Sequence, residues 1–333
     1  MIIAATSACT ALGDSPHVEA AIRAGLNRFR EDALLQCRPH DPEWEEWEPA
    51  RTARVAALDP LLGGSARLLA LAATAGRDLA ARAQIRRSDL PRAALLVGTT
   101  TVDAVAASWQ LPGLATQVAG RLGLQGLAAT ETLCAGRTAL FAILERAQVL
   151  IASGTTDTVL ALITDSLLAE DRFQALDEAR RVRSTRSPGG MLPGEAAIGL
   201  VLRAGGSGIR CGKVGRGREP QPLGGPQASS GTGLQQALAA AVQQPAVWAL
   251  PDLTSEEYRT REWGVALTRQ RLDVRSTLHT CAHLGDCGAA NAAVAAMTAA
   301  AGLTRQWGAG PALVTAGDDD GGRAAVLLEK GDA

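Results

Sequence analysis

Cys134 is the residue in this chain best placed by its neighbours to do chemistry. The apolar run Gly126-Leu127-Ala128-Ala129 before it reads as a buried strand. Behind it, Ala139, Leu140, Ile143, Leu144, Ala147 and Ile151 fall at helical spacing, so 135–152 reads as a helix. Cys134 then sits where a strand turns into a helix N-terminus. Free N–H groups and the positive end of the dipole favour a thiolate there and can hydrogen-bond an oxyanion. The plainer reading is a buried structural cysteine. A second cluster gathers His279, Cys281, His283, Asp286 and Cys287. On a strand, His279, Cys281 and His283 would share one face at period two. The cluster has no Cys-x-x-Cys pair and no helical His-x-x-x-His with a glutamate, so no metal is expected. A metal-dependent hydrolase built on this cluster is a distant third reading.

The rest of the chain supplies the elements that would hold these groups. Its 333 residues are 47% hydrophobic and 20% charged, with a formal net charge of -1, which is ordinary for a globular protein with ample core. No basic stripe interleaved with aromatics appears, which argues against nucleic acid. No run reaches the roughly 18 apolar residues of a membrane span, and the short N-terminal run Ile2 to Ala5 reads as a strand, not a signal peptide. Six scattered cysteines form no disulfide framework and fit a reducing cytoplasm.

In order, strands are expected at 2–8, 93–97, 158–164 and 195–203, with helices at 15–24 (capped by Ser15), 65–83 and 114–122. Residues 29–64 and 167–193 read as surface insertions. In the first of these, the Trp44-Glu45-Glu46-Trp47 tryptophans cover the core edge or form a partner patch. The pattern then restarts. Strands are expected at 208–214, 246–250, 274–279, 312–316 and 323–328, with helices at 234–242, 254–271 (a Thr254/Glu257 capping box) and 286–301. The glycine-rich stretches at 205–208 and 212–217 read as connectors. A shift of 153 lays Cys134-Ala135-Gly136 over Cys287-Gly288-Ala289 and 158–164 over 311–317. Two similar α/β halves, 1–204 and 205–333, follow, with their third helices side by side and one pocket at both helix N-termini.

Duplicated βαβαβαββ halves with a cysteine opening the central helix resemble the thiolase superfamily, and within it the β-ketoacyl synthases. Thr132-Leu133-Cys134-Ala135-Gly136 is similar to the nucleophile elbow. The stretch from Pro188 to Ala197 is similar to the glycine–glutamate motif, and that from Gly317 to Ala324 to the glycine-rich C-terminal loop. The resemblance implies a five-layered α-β-α-β-α core and Cys134 as acyl acceptor. His283 is then the base or ion-pair partner, or else a loop histidine that bonds backbone. Asp286 either orients His283 or stabilises the helix dipole. Glu195 is structural. The resemblance also implies an acyl carrier protein or coenzyme A thioester as donor, no cofactor, and a homodimer or ketosynthase heterodimer joined edge to edge around 127–130. Two departures stand out. The family's His-Gly-Thr-Gly-Thr place reads Leu250-Pro251-Asp252-Leu253-Thr254, without histidine, and the Gly-His place reads Gly285-Asp286. The C-terminal loop also lacks the usual Phe. Two functions follow: a ketosynthase-like acyltransferase, or a degenerate subunit that partners an active synthase.

Overall fold

The computed structural model describes residues 1–331 without 42, 45, 104, 243–247 and 309. The first half runs β1 (Ile2–Thr10), α1 (Ser15–Arg23), β2 (Arg30–Cys37), β3 (Glu48–Thr52), α2 (Gly64–Ala83), β4 (Ala93–Thr99), α3 (Leu114–Leu122), β5 (Ala129–Cys134), α4 (Ala139–Ala152), β6 (Thr158–Ser166), α5 (Glu170–Glu178) and β7 (Glu195–Arg203). The second runs β8 (Ile209–Cys211), β9 (Gly215–Arg218), α6 (Thr232–Ala241), β10 (Trp248–Leu250), α7 (Glu257–Gln270), β11 (Ser276–Thr277), α8 (Cys281–Leu284), α9 (Asn291–Thr304), β12 (Ala312–Gly317) and β13 (Gly322–Lys330).

The strands lie in the order β11-β10-β12-β13-β8-β1-β7-β6-β4-β5, with β9 on β13. Read outward from the centre, both halves repeat one arrangement. β4 lies parallel between β5 and β6, as β10 lies parallel between β11 and β12. β7 is antiparallel to β6, and β13 to β12. The short β8 hydrogen-bonds to both β1 and β13, which joins the two halves into one sheet.

Two helices fill the space between the halves. Leu140, Phe141, Ile143 and Leu144 of α4 and the alanine-rich α9 share one cluster with residues of β4, β6, β7, β12 and β13. Each fully buried large side chain contributes about 1.5–3 kcal/mol. Alanine lets α9 sit inside the molecule with almost every residue buried. Helices α2 and α3 cover the far side of the first half, and α6 and α7 that of the second. Five layers result, α-β-α-β-α, as the resemblance implies.

Several local expectations change. Asp14, not Ser15, caps α1, because its carboxylate accepts from His17 N–H. The strand before the elbow is Ala129–Cys134, later than the apolar run 126–129. No Thr254/Glu257 capping box forms. The α7 N-cap is Glu256, and Thr254 Oγ1 donates to its carboxylate at 3.0 Å. The expected strand 274–279 shrinks to Ser276–Thr277, and Cys281–Leu284 is a helical turn, so His279, Cys281 and His283 share no strand face. Strand β10 begins at Trp248; the residues expected before it lie outside the described ones. The insertion 29–64 holds the β2–β3 hairpin, which packs with α5. Trp44 is 85% exposed and Trp47 46%, so neither is buried under the hairpin; Glu45 between them lies outside the described residues.

Candidate functional site

Two helix elbows face each other at the centre of the fold. Gly136 (φ +54°) opens the turn into α4, and Gly288 (φ +56°) opens the turn into α9. These glycines are 152 residues apart, one less than the sequence offset, so the structural counterpart of Cys134 is Asp286. Each elbow is closed by a carboxylate from the other half. A Cβ on Gly136 would overlap Asp318 Oδ2, and one on Gly288 would overlap Asp165 Oδ2. Only glycine fits such a site, since a left-handed backbone also costs other residues about 1–2 kcal/mol. Asp165 is held firmly. It accepts from Ala289 N–H at 2.8 Å and from Arg172 Nη1 at 2.6 Å. Asp318 accepts from Asp319 N–H at 3.0 Å. Between the elbows lies a cavity of about 250 Å³, whose lining includes Thr100, Gly136, Arg137, Arg172, Arg181 and Asp318.

Cys134 does not point into this cavity. Along β5 the side chains alternate. Ala129, Leu133 and Ala135 pack with the central helices, and Glu131 pairs with Arg146 of α4 at 2.6 Å. Thr132 Oγ1 accepts from Ala115 N–H of α3 at 2.9 Å, and Cys134 packs with the α2–α3 layer. The thiol is therefore on the opposite face of the strand from the elbow, two residues before it. Burial raises its pKa above the ordinary thiol value, the reverse of thiolate activation.

The two places where the related motif carries histidine are filled by an ion-paired network. Arg137, next to the elbow, donates to Asp252 at 2.9 and 3.1 Å and to Asp286. Asn291 Nδ2 bridges the same carboxylates at 3.0 and 2.8 Å, and Gly288 N–H reaches Asp286 at 2.9 Å. Burial opposes the charge on Arg137, but Asp252, Asp286, Asp319 and Glu256 outweigh it and hold its pKa well above the usual value. Burial likewise pushes Asp286 up, and Arg137 and Arg259 more than offset this, so the carboxyl is held below its usual range. Asp286 is thus ionised, saturated with donors and unsuited to shuttle a proton. Asp286 lies before the turn into α9, not in the helix's first turn, and accepts there from Gly288 N–H. It is not the orienter of His283, whose Nδ1 bonds Leu26 O at 2.7 Å.

The remaining candidates diverge. His279 and Cys281 line a second cavity of about 330 Å³, beside Phe29, Leu192 and Leu253. Burial lowers the His279 pKa. Burial, then Asp252 and Asp286, drives the Cys281 thiol far up. Cys287 is fully buried, its thiol within 3.5 Å of Leu284 O. Among the described residues no group of three or more His, Cys, Asp and Glu is placed to hold a metal. Glu195 joins loops, accepting from Arg67 Nε at 2.9 Å, Val55 N–H at 2.7 Å and Ser166 Oγ at 2.9 Å.

Gly136, Arg137, Asp252 and Asp318 are the site residues that reading the sequence did not single out. The signal available was Cys-Ala-Gly, with a glycine able to take a left-handed turn two places after the cysteine. Asp318 carries a pH prediction. Burial first, with Asp319 and Asp320 assisting, lifts its pKa from 3.8 to about 6 in the folded chain, against the pull of Arg137. Between those values the folded state binds more protons than the unfolded, so this group's contribution to stability falls as pH rises from about 4 to 7. Asp318→Asn removes the penalty. In urea titrations the variant should gain on wild type by about 1–3 kcal/mol at pH 7.5 and gain nothing at pH 3.5.

No known family model matches the sequence, and no curated protein matches it. The fold, however, has close counterparts among solved structures. The ishigamide ketosynthase/chain length factor shares 18% identity at a TM-score of 0.74, with 99% of each chain covered. The ketosynthase ApeO in complex with its chain length factor ApeC from Xenorhabdus doucetiae shares 14% at 0.72, covering 99% of this chain and 98% of that one. The oxazolomycin ketosynthase domain OzmH KS7 of Streptomyces albus JA3453 shares 13% at 0.77, covering 99% and 75%. With its duplicated strand order, its two facing elbows and these neighbours, the chain is a divergent protein of the thiolase-like, ketosynthase fold.

Proposed function

We propose that this chain is a non-condensing ketosynthase-like subunit, which pairs with an active chain of the same fold and helps hold the acyl group that its partner elongates. One observation carries the reading: the residue at the elbow is Gly136, and the nearby thiol lies on the other face of β5. Covalent acyl transfer needs a nucleophile beside the helix N-terminus and its oxyanion donors. Decarboxylative condensation needs in addition a group that stabilises the developing enolate. Arg137, ion-paired with both Asp252 and Asp286, occupies the places where such groups would stand.

The partner surface fits the same reading. β5 ends the sheet, pairing only with β4 among the described residues, and its backbone edge is open to a second chain. An acyl carrier protein or coenzyme A thioester would deliver the chain to the pair. The six free cysteines suit a reducing cytoplasm, and among the described residues no helix is long and apolar enough to cross a membrane. The test is a condensation assay on the purified chain with acyl and malonyl thioesters on a carrier protein. The reading expects carbon dioxide release at background. Release well above background, lost in Cys134→Ala, overturns it.

A further inference from the structure

A cavity of about 270 Å³ lies away from the elbows, between the β2–β3 hairpin and α5. One face of α5 forms its floor. Glu170, Phe173, Gln174, Asp177 and Glu178 recur at helical spacing, so carboxylates stand at both ends of that face with Phe173 between them. The two turns from Glu170 to Asp177 cover about 10.5 Å of helix. The hairpin supplies the other wall, with Leu34, Arg38 and Trp47. On its far side α5 lines the elbow cavity with Arg172 and Leu176, so groove and elbow share one helix.

The charges in this groove are incompletely matched. Among the described residues Glu170 forms no ion pair; it accepts from Gln174 Nε2 at 3.2 Å. Glu178 has Arg38 at 3.9 Å, too far for a hydrogen bond. Asp177 is 4% exposed. Its Oδ2 accepts from Arg38 N–H at 2.9 Å and lies 3.4 Å from Arg186 Nη2, while its Oδ1 has no partner among the described residues. The Arg38 guanidinium rests 5.8 Å from the Trp47 ring centroid and donates to no side chain among the described residues. With Arg38 turned out to solvent, three carboxylates face one guanidinium, that of Arg186, and two ammonium groups restore the balance. We infer that the groove binds a linear diamine, with one ammonium on Glu170, the other on Asp177 and Glu178, and the methylene stem over Leu34, Phe173 and Trp47. Arg38 is the resident cation that the ligand displaces from the indole face. The helix sets the length: a stem of about eight carbons reaches both acidic ends, and one of three does not. This site is independent of the acyl-holding reading.

Calorimetric titration of the full chain with 1,8-diaminooctane, 1,3-diaminopropane and octylamine tests it, on wild type, Glu170→Gln and Arg38→Ala. Wild type should bind 1,8-diaminooctane at least tenfold more tightly than either other amine. Glu170→Gln, an exposed change that leaves the fold alone, should bring 1,8-diaminooctane within twofold of octylamine. Arg38→Ala removes the competing cation and should tighten 1,8-diaminooctane at least threefold. Equal affinity for the two diamines, or a preference that survives Glu170→Gln, means charge attraction without a seat and overturns the inference. Weaker binding in Arg38→Ala, or no binding of any amine to wild type, overturns it as well.

Discussion

Arg137→Met is expected to destabilise the chain by about 3–5 kcal/mol, the usual result of removing one partner from a buried ion pair. Arg137 is 6% exposed, Asp252 7% and Asp286 1%. Without the guanidinium, the two carboxylates keep one amide, Asn291 Nδ2, between them, and only Arg259, 4.0 Å from Asp252, remains as a nearby buried cation. They must then take up protons or draw in water. Arg137 is the first of the cations that hold the Asp286 carboxyl down, so its removal raises that pKa, and the loss should shrink as pH falls toward 4 and Asp286 takes up a proton. The triple variant Arg137→Met/Asp252→Asn/Asp286→Asn should recover most of it, since a buried network replaced whole is often close to neutral. Urea unfolding at pH 7.5 and pH 4.5 checks both statements. A loss under about 1 kcal/mol would mean that water screens the three groups and that the network does not fix the site.

Gly136→Ala and Gly288→Ala should both destabilise, and by different amounts. The backbone strain is common to the two, about 1–2 kcal/mol for a left-handed alanine, because φ differs by only 2° (+54° against +56°). The overlap differs. Asp165 is tied to Arg172 and Ala289 N–H and cannot swing away from a Cβ at 288. Asp318 is held by its neighbour's N–H alone among the bonds shown to its side chain. Gly288→Ala is therefore expected to cost about 3–5 kcal/mol, and Gly136→Ala about 2–3 kcal/mol, when strain and overpacking are combined. Asp318→Ala should help the Gly136→Ala chain by about 1 kcal/mol more than it helps wild type, a coupling that two independent sites would not show. Equal losses at both glycines, with no coupling, would remove the carboxylate-plugged elbow from the account.

Long periodic stretches of the fold were legible in the sequence, and the side-chain directions at the site were not. Leu114–Leu122 and Glu195–Arg203 come out with the bounds the pattern predicts, because strong apolar periodicity and burial agree there. The repeat was visible too, but at 153 instead of 152. A shift of 153 lays Cys134 on Cys287 and a shift of 152 lays Gly136 on Gly288, and the φ values of the two glycines decide for the second. The placement of Cys134 failed on parity. A strand that starts three residues later than the apolar run suggests, and continues to Cys134 itself, puts the thiol on the outer face. Arg137 was passed over because its partners Asp252 and Asp286 lie 115 and 149 residues away. Nothing local marks such a pairing. The absence of histidine from the 250–258 stretch was legible, and the structure shows what replaced it.

The most direct test of the central claim is intact-protein mass after incubation with a panel of acyl-coenzyme A and acyl-carrier-protein thioesters, beside Cys134→Ala. The geometry predicts no acyl adduct on either protein, and slow iodoacetamide labelling of Cys134 at pH 7.5, since burial keeps the thiol protonated and shielded. A mass gain equal to one acyl group on wild type, absent in Cys134→Ala, would contradict the account. It would mean that the thiol reaches the elbow and that the chain is itself an acyltransferase.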